Sequence, residues 1–321
     1  DMQKARFINQ AMEVIDKSAA GQVDRSQLIA FIAGSGVGKT RRIAEIANWA
    51  IENRWPVYFG ECYSWYQGEG PGGAEQEQGG GSRMPEHHND EGAYPYFPFI
   101  RILKEQVFRI GNQDPPEVQR DKIAQVLIQL DPSDPGLADQ APVIASFIGL
   151  DVPETGFSRA LDAEARRNVF YDRTADIFAH EVRRQGKGGV VLLCIDDLQW
   201  SDRNSLRLLG YLARRVGPGL VICVNAREPE QLGELRAPDL PLESHVLEPP
   251  LLQPQAVDTL ARLSLGLDLT GSETGKLPPE LLEKLQKELE NNPFFIIEFC
   301  GKIQEMEIIR VTDGRCAGFD A

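Results

Sequence analysis

Short unbroken apolar runs alternate along the chain with longer stretches in which apolar residues recur every three or four positions. Leu28–Ala33, Val190–Ile195 and Leu220–Val224 are the unbroken runs. Their length and lack of polar alternation predict strands buried on both faces of a parallel sheet. Val57–Cys62 and a short piece near 245–247 read as two further strands. Helical spacing predicts a helix over 2–19, with Phe7, Ala11, Val14, Ile15 and Ser18 on one face and Gly21 ending it. Further helices are expected over 39–52, from Phe99 to about Ile110, over 159–185 capped by Ser158 and closed by Gly186, and over 202–216. Pro115, Pro116, Pro132, Pro135 and Pro142 break 115–150 into short helices. From about residue 253 the pattern is helical only, over 254–264, 278–290 and 293–304. Strands alternating with helices, then helices alone, predict an α/β domain over 1–250 and a small helical domain over 251–305. Residues 306–321 read as the start of a truncated following domain.

One segment departs from this pattern. Eight of the fifteen residues in Gly68–Ser82 are Gly or Pro, and Glu and Gln supply most of the rest. The composition predicts a flexible insertion over 67–93, with a ligand-responsive lid as the other reading. His87–His88 lies within it, without a spaced histidine or cysteine to complete a metal site.

Length and charge narrow the choices. At 321 residues the chain can bury the cores of two domains. A net charge of −14 argues against DNA or an anionic membrane as the main partner of this segment. No apolar run approaches the roughly 20 residues that span a bilayer, and no signal peptide is visible. Five cysteines without a Cys-x-x-Cys pair fit reduced thiols and a cytoplasmic location. The chain starts at Asp1 and is expected to be a piece of a longer protein.

The first candidate chemistry follows the Leu28–Ile32 run directly. Residues 33–40 read Ala-Gly-Ser-Gly-Val-Gly-Lys-Thr and open onto the helix at 39–52. Glycines let successive backbone N–H groups converge on phosphates, Lys39 adds a charge, and Thr40 Oγ can ligate Mg²⁺. Ala33 stands where a first glycine is usual, and alanine keeps the turn if its φ is negative. The second candidate is Asp196-Asp197, at the C-terminal end of the 190–195 run. Ligands of open α/β sheets bind at that end of the strands. Asp196 would hold Mg²⁺, and Asp197 would orient or deprotonate the attacking water.

These segments carry a resemblance. Ala33–Thr40 is similar to the Walker A motif of AAA-type ATPases, and Leu192–Asp202 (Leu-Leu-Cys-Ile-Asp-Asp-Leu-Gln-Trp-Ser-Asp) resembles the acid-strand signature of one branch. That branch is the signal-transduction ATPases with numerous domains, the STAND class, found in large bacterial signalling proteins. Ala93–Phe99 resembles the Pro-Tyr-x-Pro stretch of that class, and Val224–Glu230 the strand that ends in its sensor arginine, here Arg227. Asn291-Asn292-Pro293-Phe294-Phe295 resembles the Gly-Asn-Pro-Leu/Phe-Phe motif of its lid. Ala33, Asn225 and Asn291 depart from the pattern, Asn225 standing for Thr or Ser and Asn291 for Gly. The Phe-Val-Gly-Arg start of the class is absent and expected upstream of Asp1. Met306–Phe319 resembles the opening of a winged-helix domain.

The resemblance implies a P-loop NTPase fold of AAA/STAND type, with a five-stranded parallel sheet, helices on both faces and a helical lid. It implies ATP or ADP with Mg²⁺ as cofactors. Ala33, Gly34, Ser35, Gly36, Val37, Gly38, Lys39, Thr40 and Arg41 would cradle the phosphates, Arg41 through its backbone. Thr40 and Asp196 would hold Mg²⁺, Asp197 would position water, and Arg227 would read the γ-phosphate. Arg227 has the plainer reading of a surface arginine at a strand end. Pro293 would pack on the base or ribose from the lid, and it also suits the first position of a helix. The activity implied is slow ATP hydrolysis that switches lid orientation and self-association, and so controls attached effector and sensor domains. Two other readings are a DNA-handling initiator-type ATPase and a nucleotide-bound scaffold without turnover. No Asn-Lys-x-Asp motif supports a GTPase.

Overall fold

The computed structural model describes residues 2–63, 95–269, 276–312 and 314–319. The insertion expected over 67–93 lies outside the described residues. Contacts group the chain into two compact units, one within 6–32 and 42–247, the other within 1–5, 33–41 and 248–321.

The larger unit is built on one sheet. Its strands are β1 (Ser26–Ile32), β2 (Val57–Glu61), β3 (Val191–Asp196), β4 (Leu220–Ala226) and β5 (Leu242–Leu247). Their spatial order is β2-β3-β4-β1-β5, and every neighbouring pair is parallel. Parallel neighbours need crossover connections, which here run through helices. β1, β3 and β4 are buried along their whole length because both faces are covered. Alternate residues serve opposite cores. Ile29, Phe31, Leu192, Cys194 and Cys223 pack with Ala11 and Ile15 of α1 (Met2–Ala19) and Ile43 and Ile46 of α2 (Lys39–Glu52). Leu28, Leu193, Ile195, Ile222 and Val224 face the other core, with Leu208 and Leu212 among their partners. Each fully buried Leu or Ile contributes about 1.5–3 kcal/mol, which is what fixes the strand ends where the chemistry sits.

Three elements differ from the sequence expectation. The helix expected from Phe99 to Ile110 is α3 (Phe97–Arg101) followed by a π-helix over Ile102–Val107. That wider turn presents Gln106, whose amide accepts from the Phe59 N–H at 2.9 Å and donates to the Phe59 carbonyl at 2.7 Å. At Phe59 the outer edge of β2 is thereby paired rather than exposed. After α4 (Pro116–Leu130) and α5 (Ala141–Phe147), the single helix expected over 159–185 is two: α6 (Gly156–Ala160) and α7 (Ala163–Arg184). Ser158 is not the cap of the long helix. It is buried in the capping box of α6 with Thr155, and Asp162 caps α7 by accepting from the Ala165 N–H at 2.8 Å. Last, β5 begins at Leu242, three residues before the expected start. α8 (Arg203–Val216) completes the larger unit.

The smaller unit holds residues 33–41 together with α9 (Pro254–Ser264), α10 (Pro279–Glu288), α11 (Pro293–Glu305) and an antiparallel hairpin of β6 (Ile309–Thr312) and β7 (Arg315–Phe319). Val257, Ala261, Leu281, Leu285, Ile296 and Cys300 form its core.

Candidate functional site

The glycine-rich loop leaves β1 at Ile32 and enters α2 at Lys39. Gly36 and Gly38 have φ of 81° and 82°, a region in which a side chain is strained. Ala33 is not among the residues of positive φ, so alanine fits where the loop pattern has glycine. Gly34, Ser35, Thr40 and Arg41 are exposed, Ala33, Gly36 and Gly38 are half-buried, and Val37 and Lys39 are buried. Lys39 Nζ donates to the Ala33 and Gly34 carbonyls, each at 2.7 Å. The next two carbonyls are taken up by the start of α11. Asn292 Nδ2 donates to the Ser35 carbonyl at 2.8 Å, and the Phe294 N–H donates to the Gly36 carbonyl at 3.3 Å. Asn292 also caps its own helix, its Oδ1 accepting from the Phe294 N–H at 3.0 Å. A Cβ at Gly36 would lie 2.5 Å from Phe294 Cβ and 2.7 Å from Asn292 Oδ1.

Pro293 occupies the first turn of α11 and is half-buried. Its neighbours Asn292 and Phe294 are the residues that touch the loop. The cap was legible in the sequence as an asparagine ahead of a proline. Its second partner, Ser35, is 257 positions away in the chain and left no local signal.

In the larger unit, Asp196 is buried at the end of β3, beside β4. Asp196 Oδ1 accepts from Asn225 Nδ2 and, at 3.1 Å, from the Asp197 N–H. Asn225 Oδ1 accepts from the same N–H at 2.7 Å. Asn225 is fully buried in β4, so a neutral amide bridges the buried carboxylate and the backbone of the next residue. Asp197 sits at φ 56° and ψ 46°, and its Oδ1 accepts from Gln199 Nε2 at 2.8 Å. The sequence treated Asn225 only as a departure from Thr or Ser. A polar residue closing an apolar strand next to the acid strand is the signal that marks it.

Arg227 is exposed, with its guanidinium 5.5 Å from the centre of the Trp200 ring. Its N–H donates to Gln231 Oε1 at 2.8 Å. Asp202 anchors the turn that follows the acid pair. It caps α8 through the N–H groups of Asn204 and Ser205 at 2.9 and 3.0 Å, and it accepts from the Tyr96 N–H at 3.1 Å and Ser205 Oγ at 2.5 Å. Burial raises its carboxyl above the usual range, opposed by these donors. Burial likewise pushes the nearby Cys62 thiol up to about 12, so it stays protonated.

The chemistry of these groups suits a nucleotide with Mg²⁺. Positive-φ glycines ahead of a helix N-terminus and a loop lysine suit phosphates. A threonine hydroxyl and aspartate carboxylates are the hard oxygen donors that Mg²⁺ takes alongside phosphate and water. Among the described residues, no helix is long and apolar enough to cross a membrane.

None of the curated proteins matches the chain. A crystal structure of a DNA replication initiation factor is similar at 11% identity and a TM-score of 0.42, covering 94% of this chain. This chain spans 61% of the length of that one. Two structures of Drosophila ORC with Cdc6, bound to GC-rich and to AT-rich DNA, are similar at 8% identity and TM-scores of 0.30 and 0.32. They cover 99% and 98% of this chain, which covers 91% and 86% of theirs. Residues 17–224, well over half of the chain, match the family described as AAA ATPase domain. With that match and a five-stranded parallel sheet of the P-loop NTPase type, the chain belongs to the AAA ATPase domain family.

Proposed function

We propose that the chain is a regulatory ATPase module of the STAND class, which binds Mg-ATP and ADP and hydrolyses ATP slowly. A nucleotide-binding part over 1–250 would act on a helical lid over 251–305, and a following domain would begin at 306. Lys39 and the loop N–H groups would hold the phosphates, and Thr40 and Asp196 would hold Mg²⁺. Bound Mg²⁺ would neutralise charge on the transferring phosphate. Asp197, fixed by Gln199, would orient water, and Arg227 would read the γ-phosphate. The observation that carries this reading is that residues 33–41 belong to the same compact unit as the helices of 248–305. A ligand of the loop would therefore be placed to act on the helical segment. A ligand shifts such an equilibrium only through contacts that differ between states.

The lid orientation would control an attached effector domain and self-association. The net charge of −14 argues against nucleic acid as the partner of this segment.

Two measurements test the reading. Lys39→Ala removes the loop's charge and should cost about 2–3 kcal/mol of ATP affinity, read by titration with a fluorescent ATP analogue. Parental affinity in that variant would mean the loop is not the site. Hydrogen exchange across 253–304 should then differ between ADP and a non-hydrolysable ATP analogue. Identical protection in both states would leave an ATPase with no switch.

A further inference from the structure

A phosphate loop binds anions by turning its N–H groups inward. Its carbonyls must then face elsewhere, and each needs a donor. In this chain four consecutive carbonyls, Ala33 to Gly36, have partners among the described residues. Lys39 Nζ serves the first two, and Asn292 Nδ2 and the Phe294 N–H serve the second two. Lys39 is also the group that phosphate would draw away. The α11 contacts do not depend on it.

We infer that Asn292 is a positioning residue for the phosphate loop, holding the Ser35 carbonyl outward so that the loop's N–H groups remain aimed at the nucleotide. This rests on the nucleotide reading of residues 33–40. Asn292 is suited to the task because it is buried and its amide faces two ways. Oδ1 caps α11, and Nδ2 reaches the loop. The Phe294 N–H, left without an intrahelical acceptor in the first turn, completes the grip on Gly36. Phe294 Cβ would meet any Cβ placed at Gly36, so the glycine is required for this close approach as well as for its φ.

The cap and the grip on the loop can be separated. Serine caps a helix about as well as asparagine but is too short to reach the Ser35 carbonyl, whereas alanine does neither. Both variants are neutral, so neither places new charge near the phosphates. ADP affinity by calorimetric titration and the melting temperature without nucleotide are measured for the parent, Asn292→Ser and Asn292→Ala. Asn292→Ser and Asn292→Ala should both bind ADP about five- to tenfold more weakly. The melting temperature should fall by a few degrees only in Asn292→Ala. Parental ADP affinity in Asn292→Ser would overturn the inference, and so would affinity losses that follow melting temperature across both variants. Either result would reduce Asn292 to a helix cap. Lys39→Ala separates this failure from failure of the underlying reading. If Lys39→Ala loses ADP and Asn292→Ser does not, only the positioning role is wrong. If Lys39→Ala binds normally, the nucleotide site itself is misplaced.

Discussion

In the phosphate loop, shape resides in the backbone: Gly36 and Gly38 hold positive φ, and the carbonyls of 33–36 are taken up by Lys39 and the start of α11. At the ends of β3 and β4 it resides in side chains. Asp196 and Asn225, on strands buried along their whole length, form a hydrogen-bonded group with the backbone of Asp197 just beyond β3. The loop therefore depends on residues far along the chain, at 292–294. The acid end depends on the sheet that carries it. The loop is thus set by pairings with residues distant in sequence, the acid end by side chains at the ends of neighbouring strands. The two regions should accordingly fail in different ways when altered.

The largest effect is expected inside the loop, and it discriminates between two glycines. Gly36→Ala forces a side chain to φ 81° and places a Cβ 2.5 Å from Phe294 Cβ. Left-handed strain of about 1–2 kcal/mol adds to overpacking of about 1–3 kcal/mol. A combined loss of roughly 2–5 kcal/mol should appear in the melting curve and in ADP affinity. Gly34 has negative or extended backbone and nothing within 4 Å of an added Cβ, so Gly34→Ala should stay within about 0.5 kcal/mol of the parent. Equal behaviour of the two variants would end the claim that backbone conformation sets the loop.

The same contrast explains what could be read from the sequence. Strands β1, β3 and β4 were legible because burial on both faces leaves unbroken apolar runs. The loop and the acid pair were legible because their chemistry is written in adjacent residues. The break between α6 and α7 was not, since Asp162 and Ser158 both suit a cap and only tertiary packing chooses between them. Nor was the π-helix, whose Gln106 acts on Phe59, 47 positions away. Asn225 on Asp196, 29 positions apart, and Asn292 on Ser35 are long-range pairings of the same kind. Helical and strand periodicity records which face of an element is buried, and it carries nothing about such pairs.

A smaller effect is expected at the acid end. Asn225→Ala removes the donor to Asp196 Oδ1 and one acceptor of the Asp197 N–H inside a buried group. The cost should be about 1–3 kcal/mol of stability, seen in denaturant unfolding, with hydrolysis slowed and ADP affinity kept. Asn225→Asp should be worse, because it sets a second carboxylate against Asp196. If Asn225→Asp is the milder of the two, the amide is not bridging the pair. A loss of ADP affinity as large as that of Gly36→Ala would break the separation of the two regions.

The smallest effect on stability belongs to Arg227, and its interest lies in what else changes. The side chain is exposed over Trp200, where a cation–π contact contributes less than about 1 kcal/mol. Arg227→Ala should therefore leave the melting temperature and ADP affinity close to the parent. If Arg227 reads the γ-phosphate, single-turnover hydrolysis should nevertheless slow, because that contact exists only with ATP. Arg227→Lys keeps the charge but not the planar guanidinium, so recovery of the rate by lysine would assign the role to charge. Trp200→Ala asks the converse: a slowed rate with Arg227 intact would show that the ring aims the guanidinium. Parental hydrolysis in Arg227→Ala would return the arginine to the surface with Trp200, and leave Asn225 as the β4 residue that serves the acid pair.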